Sequence, residues 1–234
     1  MQVRKGEEKR QEMLNVAERL FCLKGYDATS VQDILDVLHI SKGGFYHYFA
    51  SKEAVLESLF AGRAEKAVQA AEQAVASLTT PMERLNAVLR AFMPLRREDT
   101  AFMAMLLPLI QCQEGRAMRL CYQEALEAAF LPLLERELDA AQQADVIMPQ
   151  VMDCAPMILN LLSKCWYDAA LHLLEQAKKA QEHSAAALLG MLDQYRRGVE
   201  VLLDAPFGSI VIADLKEWNA LSEVLMRRMR LPMQ

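Results

Sequence analysis

Glycine and proline are scarce, nine and eight among 234 residues, and neither Asn-Gly nor Asp-Gly occurs. A chain without these punctuators lacks the tight turns from which hairpin sheets are built. Long apolar runs are missing too. The longest, Ala101 to Ile110, spans ten residues and contains Pro108, too short to cross a bilayer as a helix. The first ten residues, Met1 to Arg10, hold no apolar stretch of the kind a secretory signal needs, so a cytoplasmic protein is expected, with no membrane partner. The five cysteines (Cys22, Cys112, Cys121, Cys154, Cys165) are odd in number and have no paired short spacing, which argues against a disulfide framework or a zinc site. Cys154 and Cys165, eleven apart, share a helical face, but two thiols alone make a poor metal site and buried cysteine is the better reading. No Gly-rich phosphate loop, His-Glu-x-x-His or Gly-x-Ser-x-Gly is present, and His39, His47, His172 and His183 fall on separate elements. No catalytic residue, metal site or cofactor is expected, and the chain does not read as an enzyme.

What is present is apolar periodicity: 53% of residues are hydrophobic, recurring at three and four, which predicts an all-α protein. A first helix is expected from Gly6 to Lys24, with Met13, Leu14, Ala17, Leu20 and Phe21 on one face and Gly25 as a left-handed stop. Ser30-Val31-Gln32-Asp33 is a capping box opening a short helix striped by Val31, Ile34, Leu35 and Leu38 and ended by His39 and Ile40. Ser41 then caps a third helix running to Phe49, and Ser51 a fourth, from 52 to about 78. Thr80-Pro81 starts a fifth. Later breaks predict helices near 100–113, 116–144, 149–180, 185–204 and 209–230, with Pro132 and Pro156 kinking or starting the helices that hold them. The organisation is thus a three-helix unit over residues 1–51, then a larger helical unit over 52–234, linked by the helix from 52 to about 78.

Charge follows the same division, +1 over residues 1–52 and −6 beyond. This permits nucleic-acid binding by the first part and makes the second a poor surface for phosphate. The third helix is the informative segment. Phe45 and Phe49, four apart, must pack on the stripes of the first two helices, because helices this short do not stand alone. Aromatics at 45, 46, 48 and 49 cannot all face inward, so Lys42, Tyr46, His47 and Tyr48 lie outward, with Lys52 just beyond. Gly43-Gly44 is costly in a first turn, roughly 1 kcal/mol each relative to alanine, unless something gains from the missing side chains. Close approach of backbone to DNA is such a gain, and exposed first-turn amides also favour phosphate.

The stretch from Gly25 to Leu59 (Gly-Tyr-Asp-Ala-Thr-Ser-Val-Gln-Asp-Ile-Leu, then Ser-Lys-Gly-Gly-Phe-Tyr-His-Tyr-Phe-Ala-Ser-Lys-Glu-Ala-Val-Leu) resembles the DNA-binding domain of TetR/AcrR-type transcriptional regulators. The resemblance covers about the first quarter of the chain. It implies a helix-turn-helix domain followed by a ligand-binding and dimerisation domain. It further implies a homodimer on a palindromic double-stranded DNA operator, usually repressing, and released by a small molecule. Carried over by position, Lys42, Gly43, Gly44 and His47 fall where the family meets base edges. Ser30, Ser41, Tyr46, Tyr48 and Lys52 fall at phosphate-contacting positions, and Gln32 where a base is sometimes reached.

Twelve of fourteen methionines lie in residues 64–234. Methionine suits an adaptable apolar pocket, although a stripe at helical spacing is more often plain core. Polar groups interrupting apolar faces point to a pocket better, which with Met103 gives Tyr122, Asn160, Trp166 and His172 as candidate ligand contacts; each also reads as an ordinary core or surface residue. The helices near 149–180 and 185–204 are apolar over much of their circumference and call for a second partner, which in the resembled family is the dimer mate. The segment 209–230 either covers the pocket or extends the dimer.

Overall fold

The structure, a computed structural model, describes residues 2–93, 100–109, 113–178, 185–213, 223–224 and 227. In chain order they form α1 (Gln2–Lys24), α2 (Val31–Leu38), α3 (Lys42–Tyr46), α4 (Lys52–Ala76), α5 (Pro81–Phe92), α6 (Thr100–Leu109), α7 (Gln113–Gln143), α8 (Cys154–Lys178) and α9 (Ala185–Leu203). The protein is all-α, a helix-turn-helix unit followed by a larger helical body, with no strand among the described residues.

The local signals act as caps where expected. Gly25 takes φ 87° at the end of α1. The hydroxyls of Ser30, Ser41, Ser51 and Thr80 accept from the backbone N–H three residues on, satisfying first-turn donors that have no intrahelical partner. α1 starts at Gln2 rather than Gly6, since a glycine weakens a helix without stopping it.

Further boundaries differ from expectation. α3 ends at Tyr46, not Phe49. Beyond it the N–H groups of Tyr48 and Phe49 both bond the Phe45 carbonyl, closing a turn instead of a further helical repeat. α8 starts at Cys154, not 149, because the preceding loop is tied elsewhere: the Met148 N–H donates to the Leu203 carbonyl (2.8 Å), and Asp153 takes φ 56°. Pro156 then sits in the first turn of α8, where its missing N–H costs nothing, whereas Pro132 lies inside α7. Residues 209–213 are not helical, and most of the remainder of the segment expected as a helix over 209–230 lies outside the described residues.

Met13, Leu14, Ala17, Leu20 and Phe21 of α1 pack on Ile34 and Leu35 of α2 and on Phe45, Phe49, Val55 and Leu56, all buried. Burying Phe45 and Phe49 stabilises by roughly 1.5–3 kcal/mol each. α4 serves both parts: Val55, Leu56 and Leu59 close the N-terminal core, and further along Ala64, Ala71 and Val75 are buried where α4 packs on α5 and α7. α8 pairs with α7 on one side and α9 on the other.

Two buried polar ties fix the body. Glu137 of α7, fully buried, accepts Arg84 Nε (2.8 Å) and Nη2 (3.0 Å) from α5 and Arg136 Nε (3.0 Å). Asn86 of α5 donates to the Ser209 carbonyl and accepts from the Val211 N–H, both at 2.8 Å, while Glu200 accepts from the Gly208 N–H (2.8 Å). The non-helical stretch after α9 is thereby stapled to the body through its backbone.

Candidate nucleic-acid interface

The interface begins with the turn between α2 and α3. His39 enters the left-handed region (φ 52°) and its N–H bonds the Leu35 carbonyl, ending α2; Ser41 then starts α3 with its hydroxyl accepting from Gly44 N (3.2 Å). α2 is fixed at its other end by the reciprocal bonds of Ser30 and Asp33 and by Lys24 Nζ on Asp33 Oδ1 (2.6 Å). The Lys24 bond, followed by those from Ser30, holds the Asp33 carboxyl far below the usual carboxylate range.

Phe45 and Phe49 point down into the core, their ring centroids 5.9 Å apart. The other side of α3 and its following turn therefore faces solvent. Ser41, Lys42, Gly43, Tyr46 and His47 are exposed, Gly44 and Tyr48 half-buried. The His47 ring stands edge-on to Tyr48 (4.9 Å), and Tyr46 edge-on to Phe45 (5.4 Å). Cβ atoms at Gly43 and Gly44 would meet nothing closer than Ser41 Oγ at 4.0 and 3.5 Å, which is ordinary contact. Among the described residues nothing demands glycine at either position.

Seven of the expected interface residues, Ser41, Lys42, Gly43, Gly44, Tyr46, His47 and Tyr48, thus share one tip. Ser30 and Gln32 are exposed along α2, Gln32 bonded to Asp36 (2.7 Å). Lys52, expected at a phosphate-contacting position, is half-buried beyond that tip and has partners within the protein. Its ammonium donates to the carbonyls of Tyr26 (2.9 Å) and Thr29 (3.0 Å) and lies 4.1 Å from the centre of the Tyr26 ring. The turn between α1 and α2 creates these acceptors, and they draw the charge inward. Burial, then the neighbouring Glu53 carboxylate, pushes the Tyr26 hydroxyl well above its ordinary range, so it stays a neutral donor to Glu53 Oε1 (3.2 Å).

The candidate ligand contacts scatter. Tyr122 and Trp166 are buried with ring centroids 6.4 Å apart, beside Ser163, around a void of only about 20 Å³. Met103 is buried in α6 and is not part of that wall. Asn160 is exposed: the α8 repeat turns Ile158, Leu159 and Leu162 inward and Asn160 out. His172 is half-buried and bonded through a ring nitrogen to Gln176 (2.8 Å). Sequence reasoning missed Arg63 of α4, whose guanidinium bonds Glu18 of α1 and lies 3.8 Å from the centre of the Phe102 ring of α6. The partners are 45 and 39 positions away, beyond any local pattern. Among the described residues no group of three His, Cys, Asp or Glu is placed to hold a metal, and no helix is long and apolar enough to cross a membrane.

A capped helix, a short turn and a second capped helix with an outward polar tip define a helix-turn-helix unit of the kind that enters duplex grooves. Residues 13–59 match the family profile "Bacterial regulatory proteins, tetR family". Over 83 residues the chain is 36% identical to the HTH-type transcriptional repressor KstR2 of Mycobacterium tuberculosis, covering 36% of this chain and 42% of that protein. Over 52 residues it is 52% identical to the uncharacterized HTH-type transcriptional regulator YuxN of Bacillus subtilis, covering 22% of this chain and 18% of that one. The chain thus matches less than half the length of these curated relatives. Similar folds include a putative TetR-family transcriptional regulator from Syntrophomonas wolfei (TM-score 0.59, 21% identity, 84% of this chain and 96% of that one). Another is FadR of Bacillus subtilis, solved with stearoyl-CoA (TM-score 0.56, 17% identity, 84% and 98%). Residues 13–59 thus carry the DNA-binding helix-turn-helix of tetR-family regulatory proteins, and the rest of the chain shares their fold.

Proposed function

We propose that the protein is a DNA-binding transcriptional repressor that acts as a homodimer on a palindromic operator and is released by a small molecule. The observation that carries this reading is the α3 tip, with Lys42, Gly43 and His47 exposed on a base of buried Phe45 and Phe49. Lys42, Gly43, Gly44 and His47 meet base edges, while Ser30, Ser41, Tyr46 and Tyr48 meet phosphates and Gln32 approaches a base from α2. Phosphate contacts set position and base contacts set sequence. Lys52 acts indirectly, by holding the turn between α1 and α2.

Dimerisation through α8 and α9 is supported by their exposed apolar groups, Met157 and Val201, the latter 75% exposed. Two heads related by a twofold axis suit half-sites about 34–36 Å apart, one turn of duplex. Effector release requires different affinities for the two head arrangements. FadR, of similar fold, was solved with an acyl-CoA, which supports a ligand-responsive body here. Selection of binding sites from randomised duplex tests the reading. Wild type is expected to enrich a palindrome, and His47→Ala to relax preference at one or two positions per half-site; failure to enrich any sequence would overturn it.

A further inference from the structure

A cavity of about 280 Å³ lies where the N-terminal helices meet the body, just below the usual span of small-molecule sites, ~300–1,000 Å³. Its floor is apolar and partly aromatic: Leu59, Phe92, Tyr122 and Leu126. Its rim is charged, with Arg63 and Lys66 of α4 facing Glu18 of α1. Lys66 is exposed and makes no ion pair among the described residues, whereas Arg63 is engaged by Glu18. The Glu18–Arg63 pair is about a quarter exposed on each side (29% and 22%), which leaves it within reach of a competing anion.

A second feature marks the same wall. Gly62 lies in the middle of α4, where glycine weakens a helix, and among the described residues a Cβ built there would meet nothing within 4 Å. The helix leaves this stretch of the cavity open.

We propose that this cavity is an effector site for a small carboxylate carrying an apolar or aromatic body. The ligand carboxylate pairs with Lys66 and competes with Glu18 for the planar donor fork of Arg63, while its body lies along Gly62 and Ala67 of α4 and Ala91 of α5, above the buried Phe92 and Tyr122. Occupancy exchanges a contact between α1 and α4 for one between α4 and ligand, loosening the N-terminal helices from the body. The proposal rests on the ligand-responsive reading above and names its site and ligand class.

Calorimetry on the full chain with 4-phenylbutyrate, and with its neutral amide as control, tests it. The acid is expected to bind once per chain, and the amide about tenfold more weakly, the loss of one charge-assisted contact. Lys66→Gln should weaken the acid several-fold. Gly62→Leu should abolish binding while its melting temperature stays at or above wild type; Gly62→Ala, a smaller intrusion, should reduce affinity with the fold intact. Glu18→Gln should tighten the acid, because it removes the competitor for Arg63. No binding of the acid at millimolar concentrations, equal binding of acid and amide, or unchanged binding in a folded Gly62→Leu protein would overturn the proposal. Operator selection is scored separately. A protein that enriches a palindrome but binds no acid refutes this site alone, and one that binds the acid but no DNA refutes the repressor reading alone.

Discussion

Replacing Gly43 and Gly44 by alanine separates what the protein requires of its α3 tip from what DNA requires. In the free protein the added methyls are tolerated: the nearest atom is Ser41 Oγ, 4.0 Å from a Cβ at 43 and 3.5 Å from one at 44, with Ile40 Cβ at 3.9 Å from the latter. Neither glycine takes a positive φ, so no backbone strain accompanies the change. Alanine also gains about 0.5–1 kcal/mol per residue of helix propensity, reduced here because α3 is short and both positions lie in its first turn. The double variant is expected to melt between zero and roughly 4 °C above wild type. Against a groove the same methyls intrude where backbone approaches the bases. Overpacking of a fitted contact costs about 1–3 kcal/mol, or roughly 5- to 150-fold in affinity. Thermal melting with fluorescence-anisotropy titration on the duplex selected by wild type, at one fixed salt concentration, reads both effects. Affinity within twofold of wild type would refute a DNA-facing role for the glycines; a lowered melting temperature would place their requirement inside the protein.

Lys52→Met removes two charge-assisted hydrogen bonds and the Tyr26 ring contact, and is expected to lower stability by about 2 kcal/mol, or roughly 4–8 °C of melting, with little change in the salt dependence of DNA binding. A salt slope lower by about one with unchanged melting would return Lys52 to the phosphate contacts. Burial raises the Glu137 pKa, but the bonds from Arg84 and Arg136 outweigh it and leave the folded value below the ordinary 4.5. Its contribution is therefore complete above the unfolded pKa and disappears as pH falls through the folded one. Glu137→Gln should lose about 1–3 kcal/mol at neutral pH, since it leaves solvent-accessible arginines rather than a buried unpaired charge, and should show a shallower acid decline of melting temperature than wild type between about pH 5 and 3. Cys165, its thiol pushed up to about 12 by burial and then by Asp168, should resist iodoacetamide at pH 8 in the native protein and react on denaturation, as peptide mapping would show.

Features set by neighbours in sequence were legible before the structure. Gly25, Ser30, Ser41, Ser51 and Thr80 act on N–H and C=O groups within a few residues, and the stripes of α1 and α2 report burial directly. What was not legible depends on groups that folding brings together. The inward turn of Lys52 needs carbonyls that exist only once the chain bends at Tyr26–Thr29. Asn160 looked like a pocket group because it interrupts an apolar stretch, yet one residue's phase on α8 decides its exposure. The end of α3 turned on a choice between helix and turn at residues 47–48, where Phe49 is buried either way. The contact of Arg63 with Glu18 and Phe102 joins three helices and leaves no local trace.

The sharing of α4 between the N-terminal core and the body has a mechanical consequence. At 1.5 Å per residue, its 25 residues make a rod of roughly 37 Å. A tilt of about 5° at one end then sweeps the other through about 3 Å by lever geometry, close to the 3.4 Å rise of one base step. A slight repacking against α5 and α7 would thereby be magnified into a displacement of about 3 Å at the opposite end of the lever.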